Sequence, residues 1–309
     1  MERSTTFLSP VPPYDFELTA AHAAYFEPNT AADWFHNGVF RRVLDIDGGL
    51  CLVKVRSLGQ IESPRLEVVL KGSCLDETAV SRVLNQVARL LGIYQDLAPF
   101  YQTALKEPAL APLIQGLWGL HVPQTVSVWE ALVLAILGQQ VNAHVARMLR
   151  NLIVGNYGRG FKDSGVVYHA FPKPEALVEA GQEGLQSIKL GRRKSQYILN
   201  IAAALASGEA DLENLRILPD EEVIRTATGL RGVGLWTAHW LLIRALSRPD
   251  IFPHGDLALR RTMARLLDQE RLSQPETALR YSARWSPHRS YVTSYLFAAI
   301  RSGRFPDLS

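Results

Sequence analysis

The sequence predicts an α+β protein: an N-terminal mixed α/β domain built on an antiparallel sheet, followed by an all-α region. Strand-like alternation with tight-turn glycines is confined to about the first hundred residues. From Phe100 onward, apolar residues recur at helical spacing in segments divided by short Gly- and Pro-bearing turns, and the chain reads as helical to its end. The 309 residues, 47% hydrophobic and 20% charged, suffice for two or three compact units of ordinary globular composition.

Residues 1 to about 35 carry little pattern, and Pro10, Pro12 and Pro13 ahead of Tyr14 predict an extended entry. From Arg41, R-R-V-L-D-I-D, the Gly48-Gly49 turn and L-C-L-V-K-V-R-S predict a β-hairpin, and residues 65–72 a third strand. Asp76 is placed to cap a helix that carries Val80, Val83, Leu84, Val87, Leu90 and Leu91 on one stripe. No catalytic constellation stands out here, so a scaffold role is expected.

Beyond Phe100, Leu110, Leu113, Leu117 and Leu120 are spaced for a short amphipathic helix. The run from 126 to 149 opens on Ser127 with Glu130 three residues on, a capping box. It is apolar nearly all round until Gly138-Gln139-Gln140, so its first half should be buried. A helix starts near F-P-K-P-E-A-L-V, and two more helices, broken near Gly191, follow. After Asp256, Leu259, Met263, Leu266 and Leu267 mark another inward face, and a last helix is expected from Trp285. The domains this suggests are 1–100, then 125–248, then 101–124 together with 249–309.

Composition narrows the function. A net charge of +3 and a pI near 8.9 permit a local nucleic-acid patch without requiring one. The densest basic spots, Arg192-Arg193-Lys194 and Arg260-Arg261, read equally as solvated helix faces. No apolar run is long enough for a bilayer, and the first residues lack the apolar core of a signal peptide. Cys51 and Cys74 make neither a disulfide framework nor the ligand set of an iron–sulfur cluster. An intracellular, cytoplasmic monomer without cofactor is expected.

The most informative stretch is Leu230 to Asp256, LRGVGLWTAHWLLIRALSRPDIFPHGD. A Gly-punctuated turn leads into a helix, and a Pro-bearing connection then delivers Asp256 to the head of the next helix. Backbone N–H groups at such a turn and helix start cradle an anion such as a DNA phosphate. Trp236 and Trp240, four apart, share one helical face. These residues resemble the helix-hairpin-helix DNA glycosylases, in which a G-V-G type hairpin precedes a catalytic aspartate by roughly twenty residues. The branch most similar removes alkylated purines, the 3-methyladenine DNA glycosylase II type. The resemblance runs from about residue 40 to 301, and its specific motifs lie in the last two thirds. It implies a small mixed α/β domain ahead of a helix-hairpin-helix glycosylase core, and double-stranded DNA bearing a damaged base as the partner.

The resemblance also assigns roles. Asp256 becomes the catalytic carboxylate, which would stabilise an oxocarbenium-like sugar and orient water; on position alone it is equally an N-cap. Gly232, Val233 and Gly234, with Thr237 one turn into the helix, become phosphate contacts. I-L-G-Q-Q-V resembles the segment that fills the gap left by an extruded nucleotide, which makes Gln140 the wedge and Gln139 its neighbour; read alone, two glutamines are simply surface residues. Trp236 and Trp240, equally compatible with core packing, would line the base pocket, with Leu257 and His288 at further pocket positions. Carbonyls of Thr228, Leu230 and Val233 would suit a monovalent cation.

Trp236 discriminates most sharply. Strand-cutting family members carry a lysine two positions after the second hairpin glycine, and its amine forms a Schiff base. Here that position holds an indole, which predicts a monofunctional glycosylase of base excision repair. Alkylated purines are cationic and suit aromatic faces. The alternatives are a bifunctional glycosylase/lyase for oxidised bases, which Trp236 argues against, and a non-enzymatic hairpin module, which a carboxylate beside phosphates argues against. Three positions depart from close relatives: Gly255 where a second acid can stand, Leu257 where an aromatic can stand, and His288 where a pocket aromatic can stand.

Overall fold

The computed structural model describes residues 2–26, 32–73 and 75–304. A five-stranded antiparallel sheet forms the first layer, built from β1 (Glu2–Leu8), β2 (Asp33–His36), β3 (Val39–Ile46), β4 (Gly49–Ser57) and β5 (Leu66–Gly72) in the order β1-β5-β4-β3-β2. The β3–β4 hairpin turns on Asp47 and Gly48, both at positive φ, the handedness that matches strand twist. The helix α1 (Phe16–Ala23) and the longer α2 (Glu77–Leu90) cover this sheet, capped by the side chains of Asp15 and Asp76.

The N-terminal entry is more ordered than an extended lead-in. Glu2–Leu8 is an edge strand on β5, and six of the eight α1 residues are buried, so that helix has no polar face to betray it. β2 was also unforeseen, although Asn37-Gly38, at φ +50° and +67°, is the turn pair that favours a hairpin. Cys51 is a buried free thiol, and Cys74 lies outside the described residues.

Helices then take over: α3 (Ala98–Ala104), α4 (Ala111–Gly116), α5 (Val128–Gly138) and α6 (Ala143–Tyr157). The helical expectation fails at one place. β6 (Gly160–Asp163) and β7 (Val166–His169) form a hairpin about Ser164-Gly165, and Asp163 accepts from Lys54 at 2.6 Å and Lys71 at 2.7 Å. This hairpin bolts the helical part to the exposed face of the first sheet. Beyond it come α7 (Pro174–Ser187), α8 (Arg192–Ala206), α9 (Asp220–Thr228), α10 (Leu235–Arg244), α11 (Leu257–Leu266), α12 (Pro275–Ser282) and α13 (Arg289–Ser302). Trp285 does not begin the last helix; it is buried in a short 3₁₀ turn before it.

Side chains gather into three main cores: sheet, α1 and α2 in one; α5 to α10 in a second; α3, α4 and α11 to α13 in a third. The first and second are joined by a buried ionic foursome. Arg42 on β3 donates to Asp33 at 2.7 Å and to Glu130 on α5 at 2.6 Å, and Arg150 on α6 pairs with Asp33 and, at 3.8 Å, with Glu130. The capping box is therefore only half made. Ser127 accepts from the Glu130 N–H at 3.1 Å, but the Glu130 carboxylate reaches across to Arg42 instead of back to the cap. Burial disfavours the Arg42 charge, but the Asp33 and Glu130 carboxylates outweigh it and hold the guanidinium charged.

Candidate active site

The hairpin joins α9 to α10. Its turn is closed by the Val233 N–H donating to the Leu230 carbonyl at 3.0 Å, while Val233 packs into the second core. Gly232 sits at φ +93°, and a Cβ there would lie 2.2 Å from the ring of Tyr197 on α8. Glycine is required twice over, for backbone handedness and for this contact. Gly234 differs: its φ is −100°, and a Cβ there would meet nothing within 4 Å. It is the N-cap of α10 with no side-chain cap, so the first-turn N–H groups face an open approach.

The loop between α5 and α6 separates the two glutamines. Gln139 turns inward, donating to the Gly232 carbonyl at 2.8 Å and to the Thr237 hydroxyl at 3.0 Å. Thr237 is itself buried, so its hydroxyl serves this tether rather than facing outward to a phosphate. Gln140 is exposed at φ +53°, the tip of a loop that Asn142 ends by capping α6 at the Val145 N–H, 2.9 Å. The tip and the hairpin are thus one mechanical unit.

Asp256 caps α11 and has a second partner in α10. Oδ1 accepts from the Leu259 N–H at 2.9 Å, the N-cap bond of α11, while Oδ2 accepts from the indole N–H of Trp236 at 2.8 Å. The carboxylate is buried and lines a cavity of about 400 Å³, well within the size range of small-ligand pockets. Trp236, Trp240 and Arg244 descend one face of α10 into this cavity, and Phe297 and Arg301 do the same on α13. The rings of Trp236 and Trp240 meet edge-on at 6.3 Å, and those of Trp240 and Phe297 at 5.2 Å. The Trp240 indole N–H is buried without a partner. Val141 and Asn142 continue the wall from the α5–α6 loop.

Two predicted pocket residues lie elsewhere. His288 does not line the cavity; its ring packs 6.2 Å from Phe100 and 6.1 Å from Tyr291, at the head of α13. Leu257 follows Asp256 but is 48% exposed, because the first residue of α11 points away from the carboxylate its neighbour holds inward. Among the lining residues not foreseen are Tyr25, Arg244, Phe297 and Arg301. Arg244 was legible as the next step of the Trp236–Trp240 face. Tyr25, from the segment after α1, had no signal. Among the described residues no group of three or more His, Cys, Asp and Glu is placed to hold a metal ion. No helix among them is long and apolar enough to cross a membrane.

A carboxylate at the head of an aromatic cavity, beside a helix-hairpin-helix turn, defines the class of protein that excises bases from DNA. The chain belongs to the HhH-GPD superfamily of base excision DNA repair proteins, whose family model matches residues 133–288. A DNA-3-methyladenine glycosylase of Bacillus subtilis is 28% identical over 279 residues, covering 89% of this chain and 90% of that protein. The solved 3-methyladenine DNA-glycosylase of Archaeoglobus fulgidus superposes with a TM-score of 0.84 at 28% identity, over 96% of this chain and 98% of that one. The 8-oxoguanine glycosylase/lyase of Clostridium acetobutylicum, at 17% identity and TM-score 0.74 over 98% of each chain, shares the fold.

Proposed function

We propose that this protein is a monofunctional DNA glycosylase that hydrolyses the N-glycosidic bond of alkylated purines, such as 3-methyladenine and 7-methylguanine, in base excision repair. One observation carries the reading: among the described residues, the side chain bonded to Asp256 Oδ2 is the Trp236 indole, at the position where a strand-cutting enzyme needs an amine. The names of the Bacillus subtilis and Archaeoglobus fulgidus relatives, both 3-methyladenine glycosylases matched over most of the chain, support the substrate class.

A stacked base is out of reach, so the nucleotide must be extruded. The uncapped start of α10 around Gly232, Val233 and Gly234 takes a phosphate, and Gln140 enters the vacated stack. The carbonyls of Thr228, Leu230 and Val233 offer oxygen donors to a hard monovalent cation that would stiffen the turn. The base then lies against Trp236, Trp240 and Phe297, whose electron-rich faces favour a cationic ring. Asp256, held in orientation by the helix start and the indole, stabilises the sugar cation and directs water to C1′.

The test scores base release and strand breakage separately on methylated duplex DNA. Wild type should release base without breakage, and Asp256→Asn should lose release while retaining DNA affinity. Breakage coupled to release would make the protein a glycosylase/lyase. DNA binding with no release from any lesion would make it a binding module.

A further inference from the structure

The hairpin and the α5–α6 loop are braced by one helix. Tyr197 on α8 seats its ring against Gly232, where a Cβ would stand 2.2 Å away. Three residues earlier on the same face, Lys194 donates from Nζ to the Leu137 carbonyl at 2.7 Å. Leu137 lies in the last turn of α5, where carbonyls lack intrahelical donors and α5 itself supplies no basic side chain. The Lys194 ammonium provides a donor there and opposes the negative end of that helix. Burial alone lowers its pKa, with no carboxylate offsetting the loss of water. α8 is a firm base for this contact. Ser195 ties its first turn to the carbonyls of Leu190 and Gly191, at 3.3 and 3.2 Å, and Ile198 and Ile201 are buried in the second core.

These contacts close a triangle. Lys194 joins α8 to the end of α5, the Gln139 amide joins that end to the Gly232 carbonyl, and Tyr197 joins the hairpin back to α8. Gln140, exposed at φ +53°, projects from the corner that Lys194 holds. We propose that Lys194 is a positioning residue for nucleotide extrusion: its ammonium, fixed on the Leu137 carbonyl, holds the α5–α6 loop where Gln140 can enter the base stack. This rests on the glycosylase reading above. Lys194 does not line the cavity that holds Asp256, so its loss acts on the equilibrium between stacked and extruded base and not on bond cleavage. Extrusion costs most for a well-paired base and least for one without a partner. The contribution of Lys194 therefore depends on what stands opposite the lesion.

The test measures single-turnover base release, at saturating enzyme, from duplexes carrying 7-methylguanine opposite cytosine or opposite a stable abasic analogue. Lys194→Met keeps the aliphatic stem and removes the ammonium. It should slow release opposite cytosine about tenfold, and opposite the abasic analogue by less than about threefold. Lys194→Arg should restore release opposite cytosine to within about threefold of wild type. Lys194→Gln should show the same difference between duplexes, and serves where Lys194→Met fails to fold. Gln140→Ala should share this dependence on pairing. The double variant Lys194→Met with Gln140→Ala should be no slower than Gln140→Ala alone, because both act through one insertion. Equal slowing on the two duplexes, additive losses in the double variant, or release unchanged from wild type would overturn the positioning role. Weaker binding of undamaged duplex with release unchanged would replace it with a direct phosphate contact. Each of these results leaves the glycosylase reading intact, whereas wild-type release from neither duplex would overturn that reading itself.

Discussion

The indole nitrogen of Trp236 lies 2.8 Å from Oδ2 of Asp256, so the first turn of α10 holds a carboxylate that belongs to the first turn of α11. The other carboxylate oxygen is fixed by the Leu259 N–H. Both lone-pair directions toward the protein are occupied, and what remains faces the cavity. The indole ring is in turn seated against Gly138 at the end of α5, where a Cβ would stand 3.6 Å from it. The geometry around Asp256 is a property of three helix ends.

Trp236→Phe keeps an aromatic wall and removes that one donor. A hydrogen bond to a charged group contributes about 1.5–3 kcal/mol, so single-turnover base release should fall roughly ten- to hundredfold. Affinity for undamaged duplex should hold. Borohydride should trap no covalent adduct in wild type or variant, since neither side chain is an amine; a trapped adduct would assign the chemistry to another residue.

The two hairpin glycines should behave differently. Gly232→Ala places a methyl inside the Tyr197 ring and forces a side chain into the left-handed region, so it should lower unfolding free energy by about 2–4 kcal/mol, read by urea denaturation. Gly234→Ala meets open space at an ordinary φ and should leave stability within about 0.5 kcal/mol. Its methyl faces the approach to α10, so it should instead weaken duplex binding. Equal destabilisation by the two would remove the distinction drawn between a packed and an open glycine.

What was readable from sequence is what depends on neighbours in the chain. The β3–β4 hairpin, the Ser127 cap, the Gly191 break and the Gly232–Asp256 spacing are local signals, and each element appears where expected. Contacts across the fold were not readable. Glu130 has the spacing of a capping-box acid, yet a buried arginine 88 residues away takes it. Gln139 resembles a partner of the wedge, yet the hairpin carbonyl claims its amide. Tyr25 reaches the cavity only because α1 and the sheet carry it there. β6 and β7 are four residues each, too short for alternation to outweigh the helices around them, although Ser164-Gly165 marked the turn.

The ionic foursome predicts unequal mutational costs at one helix start. Glu130→Ala leaves the buried Arg42 and Arg150 guanidinium groups sharing the one carboxylate of Asp33 and should cost about 3–5 kcal/mol. Ser127→Ala removes only a cap and should cost about 1 kcal/mol. The double variant Arg42→Met with Glu130→Leu should recover stability relative to Glu130→Ala. Urea denaturation of the four proteins checks the order, and a Glu130→Ala cost no larger than that of Ser127→Ala would show that Arg42 finds water.

Acid should loosen the fold through His239. Its ring is buried on α10, 5.6 Å from that of His254, with Nδ1 unpartnered. Burial first, then His254 and Arg289, lower its pKa to about 4. In the unfolded chain the imidazole returns to about 6.5. Above pH 6.5 neither state binds the proton and stability is at its full value. As pH falls from 6.5 toward 4 the unfolded chain takes up a proton that the folded chain refuses, so stability declines across that window and levels off below it. His22, buried beside Arg301 and Arg244 and lowered by the same desolvation, adds to the slope. His239→Gln removes the titrating group while retaining an amide for the same space. Its melting temperature should fall less than that of wild type between pH 6.5 and 4, by about 2–4 °C for each kcal/mol of linkage removed. Parallel melting curves for the two proteins across that range would show that His239 is protonated in the folded state.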